Sequence, residues 1–192
     1  MNKIDFDFKD RTAVITGGAQ GFGLDIAKRF LKSGANIIIW DIDAKMIEKA
    51  VKDLKKMFKI IKAGGGVVQN SKKEILFIYR MKKWDLPKGK LDKGETIKEC
   101  AKREVEEETK VKVECGSKII STWHTYTRNK KFILKKTTWF NMKCIDDSKM
   151  KPQKKEKIEK VEWMKDSSVQ DILLNSYKTL NHVMKKYSEI KH

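Results

Sequence analysis

The chain has 192 residues, room for one domain or for a domain and a fragment, and its 40% hydrophobic content is enough to build a core. No apolar run approaches the ~20 residues of a membrane span, and the N-terminus alternates charge with Phe instead of carrying an apolar signal core. Neither a membrane partner nor a secretory leader is therefore expected. The formal net charge of +18 is uneven: residues 1–56 hold 11 basic and 8 acidic side chains, residues 57–192 hold 33 and 18. Such a field draws polyanions, namely nucleotides, polyphosphates or RNA. The plain alternative is a Lys-rich surface, since only 5 of the 44 basic residues are Arg. Cys100, Cys115 and Cys144 lie apart without a CxxC and read as reduced cytoplasmic thiols, and His124, His182 and His192 form no metal spacing.

In chain order, Arg11–Thr16 (RTAVIT) reads as a buried strand and Gly17–Gly23 (GGAQGFG) as a glycine turn. Asp25–Lys32 reads as a helix ended by Gly34, Asn36–Trp40 (NIIIW) as a second strand ending at Asp41, and about 43–57 as a second helix. Glycines between a strand and a helix let backbone N–H groups approach a pyrophosphate. This segment resembles the start of a short-chain dehydrogenase/reductase, with Thr16-Gly17-x3-Gly21-x-Gly23 matching that family's cofactor turn. The resemblance implies that Gly17, Gly21 and Gly23 face a pyrophosphate and that Asp41 holds the ribose hydroxyls, favouring NAD over NADP. It stops there. No further βα units follow and no Asn-Asn-Ala-Gly segment occurs. The Tyr-x3-Lys matches at Tyr79/Lys83 and Tyr187/Lys191 fall on a strand running into a loop and on the C-terminal tail. The expectation is an incomplete Rossmann-like βαβα segment over 1–56, without bound NAD, fused to a second domain over 57–192.

From Phe58 the chain reads as one α/β domain. Ile60 and Ile61 lead through Ala63-Gly64-Gly65-Gly66 to a strand at Val67–Gln69, and Asn70–Lys73 is a hairpin connection to Ile75–Tyr79. A loop over 83–94, holding Pro87, Gly89 and Gly94, gives way to a helix reaching about Lys110. At about 100° per residue with Ile97 as zero, Cys100, Ala101 and Val105 form an apolar stripe within roughly 80°. Glu104 falls at about −20° and Glu108 at about +20°, on that stripe, with Glu107 on its shoulder near −80°. Lys98, Glu99, Lys102, Glu106 and Thr109 take the wet face. Inward acids at i, i+4 repel, and each costs several kcal/mol to bury unpaired. A cation must compensate, and oxygen ligands without His or Cys suit Mg²⁺ or Mn²⁺. A solvated Glu-rich helix laced with Lys pairs is the bland alternative, but the phase of these acids argues against it.

The stretch Gly89-x5-Glu95-x7-Arg103-Glu104-Val105-Glu106-Glu107-Glu108-Thr109-Lys110-Val111 resembles the Nudix box, G-x5-E-x7-R-E-U-x-E-E-x-G-U with U a bulky aliphatic. One place departs: Lys110 stands where the family has Gly, and a left-handed helix end there costs a Lys roughly 1 kcal/mol. The resemblance covers about 58–186 and implies an α/β/α sandwich around a mixed sheet. It also implies hydrolysis of a nucleoside diphosphate linked to another moiety, by attack of water on phosphorus. Glu104, Glu107 and Glu108 are then the metal ligands, with Glu104 or Glu107 as base and Gly89 offering its backbone carbonyl. Arg103 orients a glutamate, Glu95 supports from behind, and Glu156, outside the box, is a further candidate ligand or simply a solvated acid.

Beyond the helix, Val111–Glu114 reads as a short strand, and Lys118–Thr127 and Phe132–Lys143 as a hairpin through Arg128–Lys130. Asp146–Lys157 reads as a mobile loop, Ile158–Met164 as the last strand, and Val169, Ile172, Leu173, Leu180 and Val183 as one closing helix. Trp84-x-Leu86-Pro87-Lys88-Gly89 looks like the loop of Nudix members acting on dinucleoside polyphosphates or diphosphoinositol polyphosphates. Lys88, Lys90 and Lys93 are candidates for extra phosphates, or merely exposed lysines. Trp123, His124 and Tyr126 are candidates for base stacking, while Trp139 and Trp163 serve the core equally well. A 5′-triphosphate RNA end remains another polyanion. Two other classes stay open: a non-catalytic nucleotide-binding module, against which an intact Glu104/Glu107/Glu108 set speaks, and a nicotinamide-dependent reductase, against which the missing segments speak.

Overall fold

The computed structural model describes Phe8, residues 11–128 and residues 131–190, with only the backbone at 127, 128 and 131. The chain forms two compact units, one of residues up to 59 with 128–132, the other of 60–127 with 133–192.

In the first unit, β1 (Thr12–Thr16) pairs in parallel with β2 (Asn36–Trp40), from Thr12 opposite Asn36 to Thr16 opposite Trp40. The crossover is α1 (Gly21–Lys32), which begins at Gly21, ahead of the expected Asp25. α2 (Ala44–Lys56) opens on Asp43, whose carboxylate accepts from the N–H groups of Lys45 and Met46. Alternation sends Ile15 inward and leaves Val14, Ile38 and Trp40 exposed on the other face.

The second unit is an α/β/α sandwich around a mixed sheet. Among the described residues that sheet has seven strands: β3 (Lys59–Gln69), β4 (Ile75–Arg80), β5 (Lys83–Asp85), β6 (Lys88–Lys90), β7 (Lys112–Arg128), β8 (Lys131–Asp146) and β9 (Ile158–Met164). The order is β5-β4-β3-β8-β7, with β6 on β3 and β9 on β4. The helices are α3 (Ile97–Thr109), α4 (Asp166–Leu174) and α5 (Lys178–Ile190). Val67, Ile75, Phe77 and Trp139 pack in one cluster with Val169, Ile172, Leu180 and Val183 of α4 and α5. Their strand neighbours Val68, Leu76, Ile78 and Phe140 pack in a second cluster with Ala101 and Val105 of α3. Both faces are covered, which is why Ile75–Ile78 is a continuous apolar run without polar alternation.

Several elements differ from the sequence expectation, each for a tertiary reason. Gly64–Gly66 lies inside β3 instead of preceding it: a Cβ on Gly64 would stand 2.6 Å from the Ala101 nitrogen, so the bare strand lets α3 settle on it. The expected loop 83–94 contains two short strands, β5 and β6, that find partners in β4 and β3. β7 is one strand where a short and a long one were expected. The closing helix is two helices, because Asn175 turns its carbonyl to the Trp84 N–H at 3.0 Å and Ser176 bridges to Trp84. The polar stretch 146–157 is anchored to the end of α3, with Lys151 N–H on the Thr109 carbonyl (2.9 Å) and Gln153 N–H on the Glu108 carbonyl (3.1 Å). Thr109, expected on the wet face, is fully buried beneath it, its hydroxyl donating to the Val105 carbonyl at 2.6 Å and accepting from Val111 N–H at 3.2 Å. Among the described residues no helix is long and apolar enough to cross a membrane.

Candidate active site

The carboxylate helix is fixed at both ends. Thr96 and Glu99 form a reciprocal capping box at its start, where four N–H groups lack helical partners. At its end Lys110 adopts the left-handed conformation at φ 61° in the place where the box pattern has Gly. Beside the helix, β6 pairs Gly89 with Gly64 of β3. A Cβ on Gly89 would lie 1.8 Å from a Glu104 Oε, so only glycine lets the loop backbone run against that carboxylate. The buried Cys100 thiol, pushed up to about 11 by burial, donates to the Gly89 carbonyl at 3.7 Å.

Arg103 gathers the acids of the box. Its Nε and Nη2 hold Glu95 in a fork at 3.0 and 2.6 Å, while Nη1 reaches Glu104 at 2.9 Å and Glu107 at 3.2 Å. Nη2 also donates to the Lys90 carbonyl at 3.1 Å. The fork pulls the Glu95 carboxyl down to about 2, and Arg103 itself is raised further by these partners. Glu104 goes the other way: burial outweighs Arg103 and raises its carboxyl.

Glu108 is 2% exposed, and burial pushes it up to about 7 against the pull of Lys88 and Arg80. One of its oxygens accepts from Lys88 N–H at 2.9 Å, and the other lies 3.7 Å from Arg80 Nη1. Asp85, 1% exposed, takes Arg80 Nη2 at 3.4 Å, the Lys88 ammonium and the Leu86 N–H at 2.9 Å.

The structure thus brings Glu95, Arg103, Glu104, Glu107 and Gly89 together, and sets Glu108 behind them facing the Lys88 backbone. Glu156, in a 3₁₀ turn at Lys154–Glu156, is exposed and close enough to Glu104 to raise its carboxyl. Lys88 is turned inward onto Asp85, whereas Lys90 and Lys93 are exposed. Trp123 packs under the Lys136 ammonium at 5.4 Å, and Tyr126 stacks on His124 at 5.9 Å. Sequence reasoning passed over Arg80, Asp85 and Lys135. Lys135 shares the phase of Trp139 along β8, a signal usable only once the face of Trp139 is known.

Among the described residues no group of three or more His, Cys, Asp or Glu side chains is drawn up to hold a metal ion. Arg103 holds Glu104 and Glu107 on its own guanidinium. The donor set nonetheless fits a hard divalent cation: it is all oxygen, and two of its carboxylates are raised by burial. In the first unit Gly17 and Gly21 have positive φ (62° and 52°), and a Cβ on Gly23 would meet the Gly17 carbonyl at 2.2 Å. Asp41 spends its carboxylate locally, on Ala19 N–H at 3.0 Å and Asp43 N–H at 3.2 Å.

A family model for the NUDIX domain matches residues 61–185, and one for short chain dehydrogenase matches 11–84. Residues 61–84, common to both matches, lie in β3, β4 and the start of β5 of the seven-stranded sheet. The C alpha-dehydrogenase of Sphingobium sp. is 50% identical over 48 residues, 25% of this chain and 16% of that one. The 3alpha-hydroxysteroid dehydrogenase of Mediterraneibacter gnavus is 30% identical over 57 residues, 30% of this chain and 23% of that one. The chain thus spans less than a quarter of the length of these two dehydrogenases. Among solved structures, a C. elegans Ap4A hydrolase binary complex superposes with a TM-score of 0.53 at 20% identity, over 68% of this chain and 96% of that one. The MutT protein from Methanosarcina mazei Go1 gives 0.56 at 20% identity, over 70% and 96% of the two chains. A NUDIX hydrolase from Nitrosomonas europaea gives 0.57 at 19%, over 70% and 92%. With its box intact from Gly89 to Glu108 and its second unit folded as theirs, the chain belongs to the NUDIX family.

Proposed function

We propose that the chain is a divalent-cation-dependent hydrolase of phosphoanhydride bonds in nucleoside diphosphate derivatives, with dinucleoside polyphosphates the favoured class. The observation that carries this reading is the contact of Gly89 with Glu104: a loop backbone stripped of its side chain lies against a carboxylate raised by burial. The residues that would hold Mg²⁺ or Mn²⁺ are Glu104, Glu107 and Glu108, with the Gly89 carbonyl and Glu156 as further oxygen donors. A cation bound there would neutralise phosphate oxygens and lower the pKa of attacking water. Glu104 and Glu107 are the candidate bases that take the proton of that water. Arg103, anchored on Glu95, restrains both of them, and Lys88 N–H fixes the rotamer of Glu108. The basic excess of residues 57–192 favours a polyanionic substrate. The solved Ap4A hydrolase among the structural neighbours supports the dinucleoside polyphosphate class.

The test is phosphate and pyrophosphate release over dinucleoside polyphosphates, nucleoside diphosphate sugars, nucleoside triphosphates and 5′-triphosphate RNA, with Mg²⁺ or Mn²⁺. Glu107→Gln runs beside the native chain. Metal-dependent turnover lost in the variant supports the hydrolase and reports its substrate class. Tight metal-dependent nucleotide binding without turnover on any compound would instead make the chain a binding module.

A further inference from the structure

The hairpin ahead of the glycine loop brings a carboxylate from outside the box into the charged cluster at Glu108. Met81 and Lys82 turn the chain with φ of 51° and 62°, the left-handed pair that a two-residue hairpin turn favours. The turn sets Ile78 of β4 opposite Asp85 of β5, and Arg80 opposite Lys83. Opposite residues share a face, as do residues two apart, so Ile78, Arg80 and Asp85 stand on one face of the hairpin. Ile78 packs there in one cluster with Ala101 and Val105 of α3. Arg80 and Asp85 consequently look onto the inner stripe of α3, where Glu108 follows Val105 by three residues.

Arg80 lies between two buried acids. Its Nη2 donates to Asp85 at 3.4 Å, and its Nη1 stands 3.7 Å from Glu108. The second distance is an ion contact without a hydrogen bond. Asp85, 1% exposed, also takes the Lys88 ammonium and the Leu86 N–H at 2.9 Å, while Lys88 meets Glu108 through its backbone N–H. Among the described residues the buried Nε of Arg80 has no hydrogen-bond partner, so Asp85 is the main anchor of the guanidinium. A buried cation deprived of its carboxylate is costly. Without Asp85 the guanidinium would close on Glu108, in the two-pronged geometry that Arg favours with carboxylates. Arg80 and a divalent ion would then compete for the same oxygens.

We propose that Asp85 is a positioning residue: it holds Arg80 and the Lys88 ammonium off Glu108 and so leaves that carboxylate to a divalent cation. The proposal rests on the cation-binding part of the hydrolase reading and not on turnover. The experiment measures Mn²⁺ affinity from the electron paramagnetic resonance signal of the free ion, with folding followed by circular dichroism. It compares the native chain with Asp85→Asn, Arg80→Met, the two together and, as control, Asp92→Asn, an exposed acid 3.5 Å from Arg103. One new charge-assisted contact between Arg80 and Glu108 weakens Mn²⁺ binding in Asp85→Asn by roughly 10- to 100-fold. Arg80→Met and Asp92→Asn each stay within about 3-fold of the native chain. The double variant returns to within about 3-fold as well, because the competing guanidinium is gone.

This rescue is what a merely structural aspartate would not give: equal losses in Asp85→Asn and in the double variant overturn the proposal. If Asp85→Asn does not fold, the double variant decides, since it removes both partners of the pair. Folded with native affinity, it supports the role; weakened about 10-fold or more, or unfolded, it overturns it. A native chain that binds no Mn²⁺ overturns it too, whatever its turnover. Mn²⁺ bound without turnover on any compound removes the hydrolase and leaves the role of Asp85 to the affinities alone.

Discussion

Glu108→Gln replaces a carboxylate that is 2% exposed with a near-isosteric neutral amide, so its effect separates the charge from the shape. In the folded chain the Glu108 carboxyl titrates at about 7 instead of its usual 4.5, burial being the largest cause. The folded state therefore holds a proton that the unfolded state has released between those values, and stability declines as pH rises from 4.5 through about 7. A gap of about 2.5 pH units corresponds to about 3 kcal/mol of penalty on the metal-free protein above pH 7. The amide removes that penalty and keeps an acceptor for Lys88 N–H. For a domain of this size the gain is worth roughly 10 °C in melting temperature. The assay is thermal denaturation in chelator from about pH 5 to 8.5, followed by titration with Mn²⁺. The variant melts higher than the native chain at alkaline pH and converges with it near pH 5. It also loses part of the stabilisation that the ion gives the native chain. A variant that melts no higher than the native chain at pH 8, with the same pH slope, would refute the claim that the burial of Glu108 outweighs the pull of Lys88 and Arg80.

Four further outcomes follow from the same geometry. Gly89→Ala drives a Cβ into Glu104, so turnover in the substrate panel falls at least about 100-fold, a misplacement effect, with the fold retained by circular dichroism. Lys110→Gly relieves the left-handed helix end at φ 61° and raises stability by about 0.5–1 kcal/mol in urea denaturation. Glu95, held down by the Arg103 fork, contributes stability that is present above its usual value of 4.5 and is lost as pH falls through about 2. Glu95→Gln accordingly flattens the acid limb of an unfolding curve. A shortened chain starting at Met57 keeps β3 and the whole box, and is expected to fold and turn over substrate at the native rate. Failure to fold would move the boundary proposed between 1–56 and 57–192.

Much of the candidate site was legible because its signals are local. The spacing from Gly89 to Val111 and the phase of Glu104 and Glu108 depend only on a 3.6-residue period. The left-handed end at Lys110 followed from the position itself. What was not legible involves residues that alternate between two covered faces. Thr109 looked wet by helix phase, and is buried because a distant polar stretch, anchored through Lys151 and Gln153, closes over it. Lys135 looked like one more lysine in a basic chain, and is half-buried, with Lys88 and Arg80 near enough to lower its ammonium.

The sequence by itself determined the carboxylate helix, its preceding glycine loop, the βαβα order of residues 12–56 and the family to which 61–185 belongs. Those features rest on periodicity, on glycine and on a motif whose spacing is read along one chain. Only the tertiary structure decided which carboxyl is pulled down and which are raised. Glu95, Glu104 and Glu108 are identical side chains within 14 residues. One is pulled down by an arginine fork and two are raised by desolvation, because a pKa is set by the groups that folding brings across space.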